Sequence, residues 1–158
     1  MPNKPGQLNR GVDIITLVLS FIGTLIASGG SLLVLIDQAG MSGPPVWPLP
    51  GLVLMDWAIL GILGFLSAYW GRKPSSALWR KIAWVVAGAL VPLVILGAFS
   101  IGLFVLVSLL FFLGSAILLA KQRKEKWLDH LGMIFIGTVS NLGFLLLFVA
   151  IGNMAMRS

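Results

Sequence analysis

The sequence has no cysteine and only one histidine and one tyrosine among its 158 residues. The lack of cysteine excludes disulfides, thiolate nucleophiles and cysteine-based metal sites. One histidine cannot build a multi-histidine metal site, and no histidine lies within an apolar run to ligate a haem. We therefore expect no metal and no cofactor.

Charged residues are also scarce, at 10% of the chain, whereas soluble domains carry about 25%. Hydrophobic residues make up 58%, and the mean hydropathy is +1.02. The apolar runs are continuous and lack the ~10-residue alternating pattern of a membrane β-barrel. The composition predicts an all-α integral membrane protein, with residues 1–158 forming a single transmembrane domain.

The longest uncharged run is Ile82–Ala120, which has 39 residues and basic side chains at both ends. As one helix it would measure roughly 58 Å, about twice the ~30 Å thickness of a bilayer core. Basic clusters stay on the cytoplasmic side, so the chain must turn back within the run. We predict a tight helical hairpin that turns at residues 97–102, around Ser100 and between two glycines. Its second arm is predicted to be the most lipid-facing helix.

Five crossings follow from the apolar runs, at about residues 12–36, 52–70, 82–98, 101–120 and 131–152. Ten of the eleven Lys and Arg lie in the N-terminal tail and in two loops that this topology places on one side. The distribution predicts a cytoplasmic N-terminus and an outside C-terminus. The net charge of +6 is therefore interpreted as a topology signal and as a source of attraction to anionic lipid headgroups. We expect no nucleic acid partner.

The source membrane and the processing of the chain can also be predicted. Short glycine-rich helices with basic loops give the sequence the general look of small prokaryotic membrane proteins, which favours a prokaryotic plasma membrane. This likeness is compositional and carries over no residue roles. A signal-peptidase cut after Ala27 would place Leu25 where a small residue is needed, so cleavage is not expected. The proline-dense stretch at residues 43–51 is predicted to be an outside loop.

Small residues suggest where the helices pack closely. Gly61, Gly64 and Ala68 lie along the second crossing, and Ala83 and Ala87 lie on the third. Small residues let helix backbones approach one another in a membrane. Pro92, near the middle of the third crossing, predicts a kink and a freed backbone carbonyl that neighbouring groups must satisfy.

Polar residues inside the crossings are the candidates for substrate or ion contact. Asn141 lies near the middle of the fifth crossing, with Thr138 and Ser140 beside it. Its amide either fixes helix packing through an interhelical hydrogen bond or contacts a ligand. Asp56 lies in the outer part of the second crossing and has no basic residue nearby. It either reaches the interface, bonds another helix backbone, or acts as a proton- or cation-coupled carboxyl.

The basic loops are predicted to contact anionic lipid headgroups. The residues concerned are Arg72, Lys73, Arg80, Lys81, Lys121, Arg123 and Lys124. Asp129 and His130 follow the second basic loop, and adjacent residues on a helix point apart, which favours a helix cap over an acid–base pair. An enzyme acting on lipid would have to depend on these two residues and the basic loop.

No motif of a hydrolase, a metalloprotease or a phosphate-binding loop occurs in the sequence. The leading hypothesis is a non-enzymatic protein that works through helix packing, as an accessory or structural subunit of a membrane complex or as a self-associating protein. Its partners would be other transmembrane subunits or further copies of the chain. The alternative is a small oligomeric transporter or channel that uses Asp56 and Asn141.

Overall fold

The computed structural model describes residues 10–40, 49–73, 75–97, 101–123, 125 and 127–155, and this part of the chain contains helices and no strand. The helices are α1 (Arg10–Thr24), a π-helical segment (Leu25–Gly29), α2 (Gly30–Gly40), α3 (Leu49–Gly71), α4 (Ala77–Leu96), α5 (Gly102–Arg123) and α6 (Trp127–Ala155). The first three are consecutive, and together we call them the first span. The described residues thus contain five helices long and apolar enough to cross a membrane.

Several helices extend beyond the predicted crossings at their basic ends. α4 begins at Ala77 and α6 at Trp127, several residues before the predicted starts, and α5 continues through Lys121 to Arg123. Helical hydrogen bonds do not require apolar side chains, and long basic side chains can extend away from an apolar surface. Arg80, Lys81, Lys121 and Arg123 therefore lie on helices, although the sequence placed them in loops.

The long apolar run is divided into two helices between Gly97 and Gly102. α4 ends at Leu96 and α5 begins at Gly102, and the two helices pack against each other. The Gly97 N–H donates to the Leu93 carbonyl at 2.8 Å, and the Gly102 N–H donates to the Gly97 carbonyl at 2.5 Å. A Cβ atom on Gly102 would lie 2.6 Å from the Gly97 carbonyl carbon, so the turn requires a glycine there. The predicted turn residue Ser100 lies outside the described residues.

α4 is the central helix of the bundle, with α3, α5 and α6 packed around it. The first span packs against α3 and α5, while α6 contacts chiefly α4 and leaves much of its own surface exposed. The prediction that the second hairpin arm is the most lipid-facing helix is wrong. Several α5 side chains are buried because both the first span and α4 cover it; they include Val105, Ser108, Phe112, Ser115, Ala116 and Leu119.

The first span meets α3 at the end of α1 and along its π-helical segment. The Thr24 hydroxyl donates to the Gly61 carbonyl at 2.8 Å, and a Cβ atom on Gly61 would lie 2.7 Å from the Ala27 side chain. A π-helical turn widens the helix locally, and such turns occur mostly as short irregularities. Residues 49–51 of the predicted proline-rich loop form the start of α3 instead, because proline is tolerated in the first turn of a helix. Residues 43–48 lie outside the described residues, as do 1–9 and 156–158.

Candidate functional site

The closest helix contact in the described fold joins α4 to α6. A Cβ atom on Gly88 would overlap the Ile134 carbonyl oxygen, and one on Gly137 would overlap the Val85 carbonyl oxygen. Backbone therefore meets backbone on both sides of this interface, which only glycine permits. Neither glycine was selected from the sequence, although Gly88 lies four residues before Pro92 and Gly137 four before Asn141.

Pro92 explains why polar groups of α6 face this interface. Proline has no backbone N–H, so Pro92 cannot donate to the carbonyl four residues earlier, which is that of Gly88. The Thr138 hydroxyl lies 3.0 Å from the Gly88 carbonyl and 3.0 Å from the Ile134 carbonyl of its own helix. Thr138 thus supplies the donor that the proline removes, and its hydroxyl is engaged in packing.

The role of Thr138 can be tested by a double-mutant cycle with Pro92. We expect Thr138→Val to lower the free energy of unfolding by about 1 kcal/mol, because the Gly88 carbonyl loses its donor. In a Pro92→Ala background the destabilisation caused by Thr138→Val should fall by at least half, since the backbone N–H restored at position 92 can donate to the Gly88 carbonyl. Thr138→Ser, which keeps the hydroxyl, is the control. Equal costs in both backgrounds would contradict this assignment.

Asn141 is held in one orientation by α4. Its Nδ2 donates to the Ala89 carbonyl at 2.5 Å, and the residue is 3% exposed. Rotating the amide would bring Oδ1 against that carbonyl, two acceptors in contact, so the nitrogen is fixed on this side. Oδ1 is then a buried acceptor with no hydrogen-bond partner among the described residues. Asn141 makes the interhelical bond and also retains a free acceptor.

A cleft of about 490 Å³ separates α3 from α6. Val85 and Ala89 of α4 lie at its base, and the remaining lining is largely apolar: Leu52, Met55, Ile59, Leu60, Leu63, Gly137, Phe144, Leu147 and Phe148. Three polar residues complete it: Asp56, Ser140 and Asn141. The Asp56 Oδ2 atom is buried and has no hydrogen-bond partner within the part of the chain that the structure describes.

The fold thus brings together three of the four polar candidates selected from the sequence. Asp56, Ser140 and Asn141 line one cleft, whereas Thr138 faces α4. No three His, Cys, Asp or Glu side chains are grouped to hold a metal ion within the described ranges. The arrangement can offer hydrogen-bond acceptors to a mainly apolar molecule.

The residues selected for packing lie in helix contacts. A Cβ atom on Gly64 would overlap the Phe112 ring, and Ala68 on the same helix is fully buried. Ala83 joins Ala116, Leu119 and Ala120 of α5 in one buried apolar cluster, and Ala87 is also buried. The importance of Phe112 was not apparent from the sequence, where it stands in a long run of apolar residues.

The basic residues selected for lipid contact differ in their surroundings. Arg80 is 8% exposed, and its Nε donates to Glu125 Oε1 at 2.5 Å, so it forms an internal ion pair and does not face the surface. Arg72 lies over the Tyr69 ring at 5.0 Å, and Arg123 donates to the Arg72 carbonyl at 2.9 Å. Three lysines are exposed: Lys73, Lys81 and Lys121. Lys124 lies outside the described residues.

The Arg80–Glu125 pair lies beside a buried histidine. His130 is 3% exposed and stacks on Trp84 with ring centroids 4.6 Å apart. Its Nε2 lies 3.8 Å from Glu125 Oε2, beyond hydrogen-bonding distance. Asp129 is exposed, so these adjacent residues do point apart and do not form an acid–base pair. Glu125 was missed because it stands within a basic run.

Searches of protein-family models, of the curated proteins and of the solved structures each find no match to this chain. The cleft and the α4–α6 interface are therefore interpreted from their own geometry.

Proposed function

We propose that the chain is an integral protein of a prokaryotic plasma membrane that crosses the bilayer five times, with a cytoplasmic N-terminus and an outside C-terminus. The five long apolar helices support insertion. The orientation is supported by basic residues at one end of the bundle: Arg123 at the end of α5 donates to the carbonyl of Arg72, which follows α3, and Arg80 near the start of α4 donates to the carbonyl of Lys73. Positive charge of this kind favours the cytoplasmic side.

We further propose that the protein is non-enzymatic and works through helix packing, as a self-associating protein or as a subunit of a larger membrane complex. The observation that carries this proposal is the outer face of α6. Four small or β-branched residues recur there at spacings of seven, four and seven, all of them exposed: Gly132, Val139, Gly143 and Ala150. A Cβ atom on Gly132 or Gly143 would meet nothing within 4 Å.

These two glycines have no packing role within the described chain. Eleven residues make about three helical turns, so Gly132 and Gly143 lie on the same face. Glycine in a helix costs about 1 kcal/mol relative to alanine, and no contact inside the bundle offsets that cost here. A helix from another chain could approach α6 closely along this face, as small residues permit.

The self-association face can be tested at Gly143. Gly143→Leu should weaken association roughly tenfold, about 1.4 kcal/mol, because leucine holds the partner helix away. Association would be measured in lipid nanodiscs or mild detergent by light scattering coupled to size exclusion. Gly29→Leu is the matched control, since a Cβ atom there also meets nothing within 4 Å but the position lies on the first span. Unchanged association in Gly143→Leu would contradict the α6 face as the contact, and a parent chain that stays monomeric would contradict self-association. A different chain co-purifying at fixed stoichiometry would favour the subunit role.

A second candidate function is a small oligomeric transporter or channel. It is favoured by one observation: Asp56 and Asn141, on different helices, line the same cleft with Ser140 beside them. Five helices are few for a complete pathway within one chain, so the oligomer proposed above would be required. Ligand binding in this cleft is the first step that such a function needs.

A further inference from the structure

We propose that the cleft between α3 and α6 binds an organic cation, consisting of a compact apolar body that carries one protonated amine. This inference rests on the proposed membrane insertion and names the ligand class for the second candidate function. It follows from the shape of the cleft, from its polar atoms and from the kinds of side chain that are missing from its lining.

The cleft is accessible from the side of the bundle. Met55, Ile59 and Phe144 at its edges are exposed, and so is Ser140. Its volume of about 490 Å³ lies within the ~300–1,000 Å³ range of small-molecule sites. With the helices in a bilayer, this opening would face the hydrocarbon. A ligand would therefore enter from the membrane, and most of its surface must be apolar.

The buried polar atoms of the cleft call for hydrogen-bond donors. Asp56 Oδ2 and Asn141 Oδ1 are both acceptors without a partner among the described residues. The Asn141 amide donates one N–H to the Ala89 carbonyl and interacts with the Asp56 carboxyl, so a single N–H remains for two buried acceptors. An unpaired acceptor in an apolar site costs free energy that a donor recovers. An ammonium group carries several N–H donors and a charge that complements a carboxylate.

The described lining contains no Lys, Arg or His, so the chain itself supplies no positive charge there. An anionic ligand would lie against the Asp56 carboxyl with no positively charged side chain to offset the repulsion. A bare metal ion is equally unsuited, because Ca²⁺ takes six to eight oxygen ligands and the lining offers three oxygen-bearing side chains. Phe144 and Phe148 provide aromatic surface that suits both an apolar body and a cation.

The test uses 1-aminoadamantane, a compact hydrocarbon cage with one amine, and its neutral analogue 1-adamantanol. Binding to the full chain in nanodiscs would be measured by equilibrium dialysis, with empty nanodiscs as the blank. We expect saturable binding of the amine at one site per chain, at least tenfold tighter than that of the alcohol. Asp56→Asn should weaken amine binding at least tenfold and abolish the preference for the amine over the alcohol.

Asp37→Asn is the matched control, because Asp37 is an exposed acid of the first span that does not line the cleft. It should bind the amine as the parent chain does. Ile59→Trp provides a second variant: position 59 is exposed, so folding should be retained while the indole fills the cleft and blocks binding. Amine binding that does not saturate, or an Asp56→Asn variant that binds the amine as tightly as the parent chain does, would overturn the proposal.

The same samples separate the failure of this inference from the failure of the proposed function. If the chain enters nanodiscs and self-associates but binds no amine, only the cation site is rejected. If the chain fails to enter nanodiscs as an intact bundle, the membrane function on which the site depends is rejected as well.

Discussion

Gly137→Ala is expected to lower the free energy of unfolding by about 3 kcal/mol, although it adds a single methyl group. That methyl would overlap the Val85 carbonyl oxygen of α4, and a backbone atom cannot move aside as a flexible side chain can. Separating α4 from α6 would also lengthen the hydrogen bonds from Thr138 to Gly88 and from Asn141 to Ala89.

The measurement is unfolding by sodium dodecyl sulfate from mixed micelles, followed by circular dichroism. Gly132→Ala is the control on the same helix, because a Cβ atom there meets nothing within 4 Å. It should be neutral or stabilising by up to about 1 kcal/mol, since alanine is the better helix former. Similar values for Gly137→Ala and Gly132→Ala would show that α4 and α6 are not in backbone contact.

Gly64→Leu is expected to cost at least about 3 kcal/mol, because Phe112 occupies the space that leucine needs. A Cβ atom on Gly64 would already overlap the Phe112 ring, and one on Gly23 would lie 3.1 Å from the same ring. The phenyl ring thus packs between the first span and α3, and an enlarged residue on either side must displace it.

A second substitution makes this prediction specific. Phe112→Ala alone should destabilise by about 3 kcal/mol through the cavity that it leaves. Combined with Gly64→Leu, it should cost less than the sum of the two single changes, because leucine enters the vacated space. Gly114→Ala is the control on α5, where the nearest neighbour of the new Cβ atom lies 3.6 Å away. Additive costs in the double variant would contradict the contact between Gly64 and Phe112.

The hairpin of α4 and α5 shows which structural features composition and segment length can predict. A run of 39 uncharged residues is too long for one crossing. Of its four glycines, Gly97 and Gly102 are the closest pair, and the turn lies between them. The sequence also indicated that Pro92 frees a backbone carbonyl. It could not indicate that Thr138 satisfies it, because a proline pattern does not specify which neighbouring helix supplies the donor.

For the polar candidates, too, the sequence indicated which residues to consider, and the fold decided how they are arranged. Asp56 and Asn141 stood out because polar side chains are rare in long apolar runs, and this holds whatever the arrangement of the helices. That they share a cleft, while Thr138 faces α4, depends on how far each helix is rotated about its axis. For Arg80 the sequence alone was misleading. Its charge suggested a contact with lipid headgroups, whereas in the fold the side chain is buried and paired with Glu125.

The sequence by itself determined that the described chain is helical, with five helices long and apolar enough to cross a membrane and with basic residues at the α3–α4 and α5–α6 junctions. Those properties depend on the length and composition of local segments, which the linear order of residues contains directly. The tertiary structure decided which faces meet: Gly88 and Gly137 at the α4–α6 contact, Phe112 between Gly23 and Gly64, and the cleft beside Asn141. Nearly every face of these helices is apolar, so hydrophobic periodicity cannot distinguish an inner face from an outer one, and backbone approach at single glycines makes that choice.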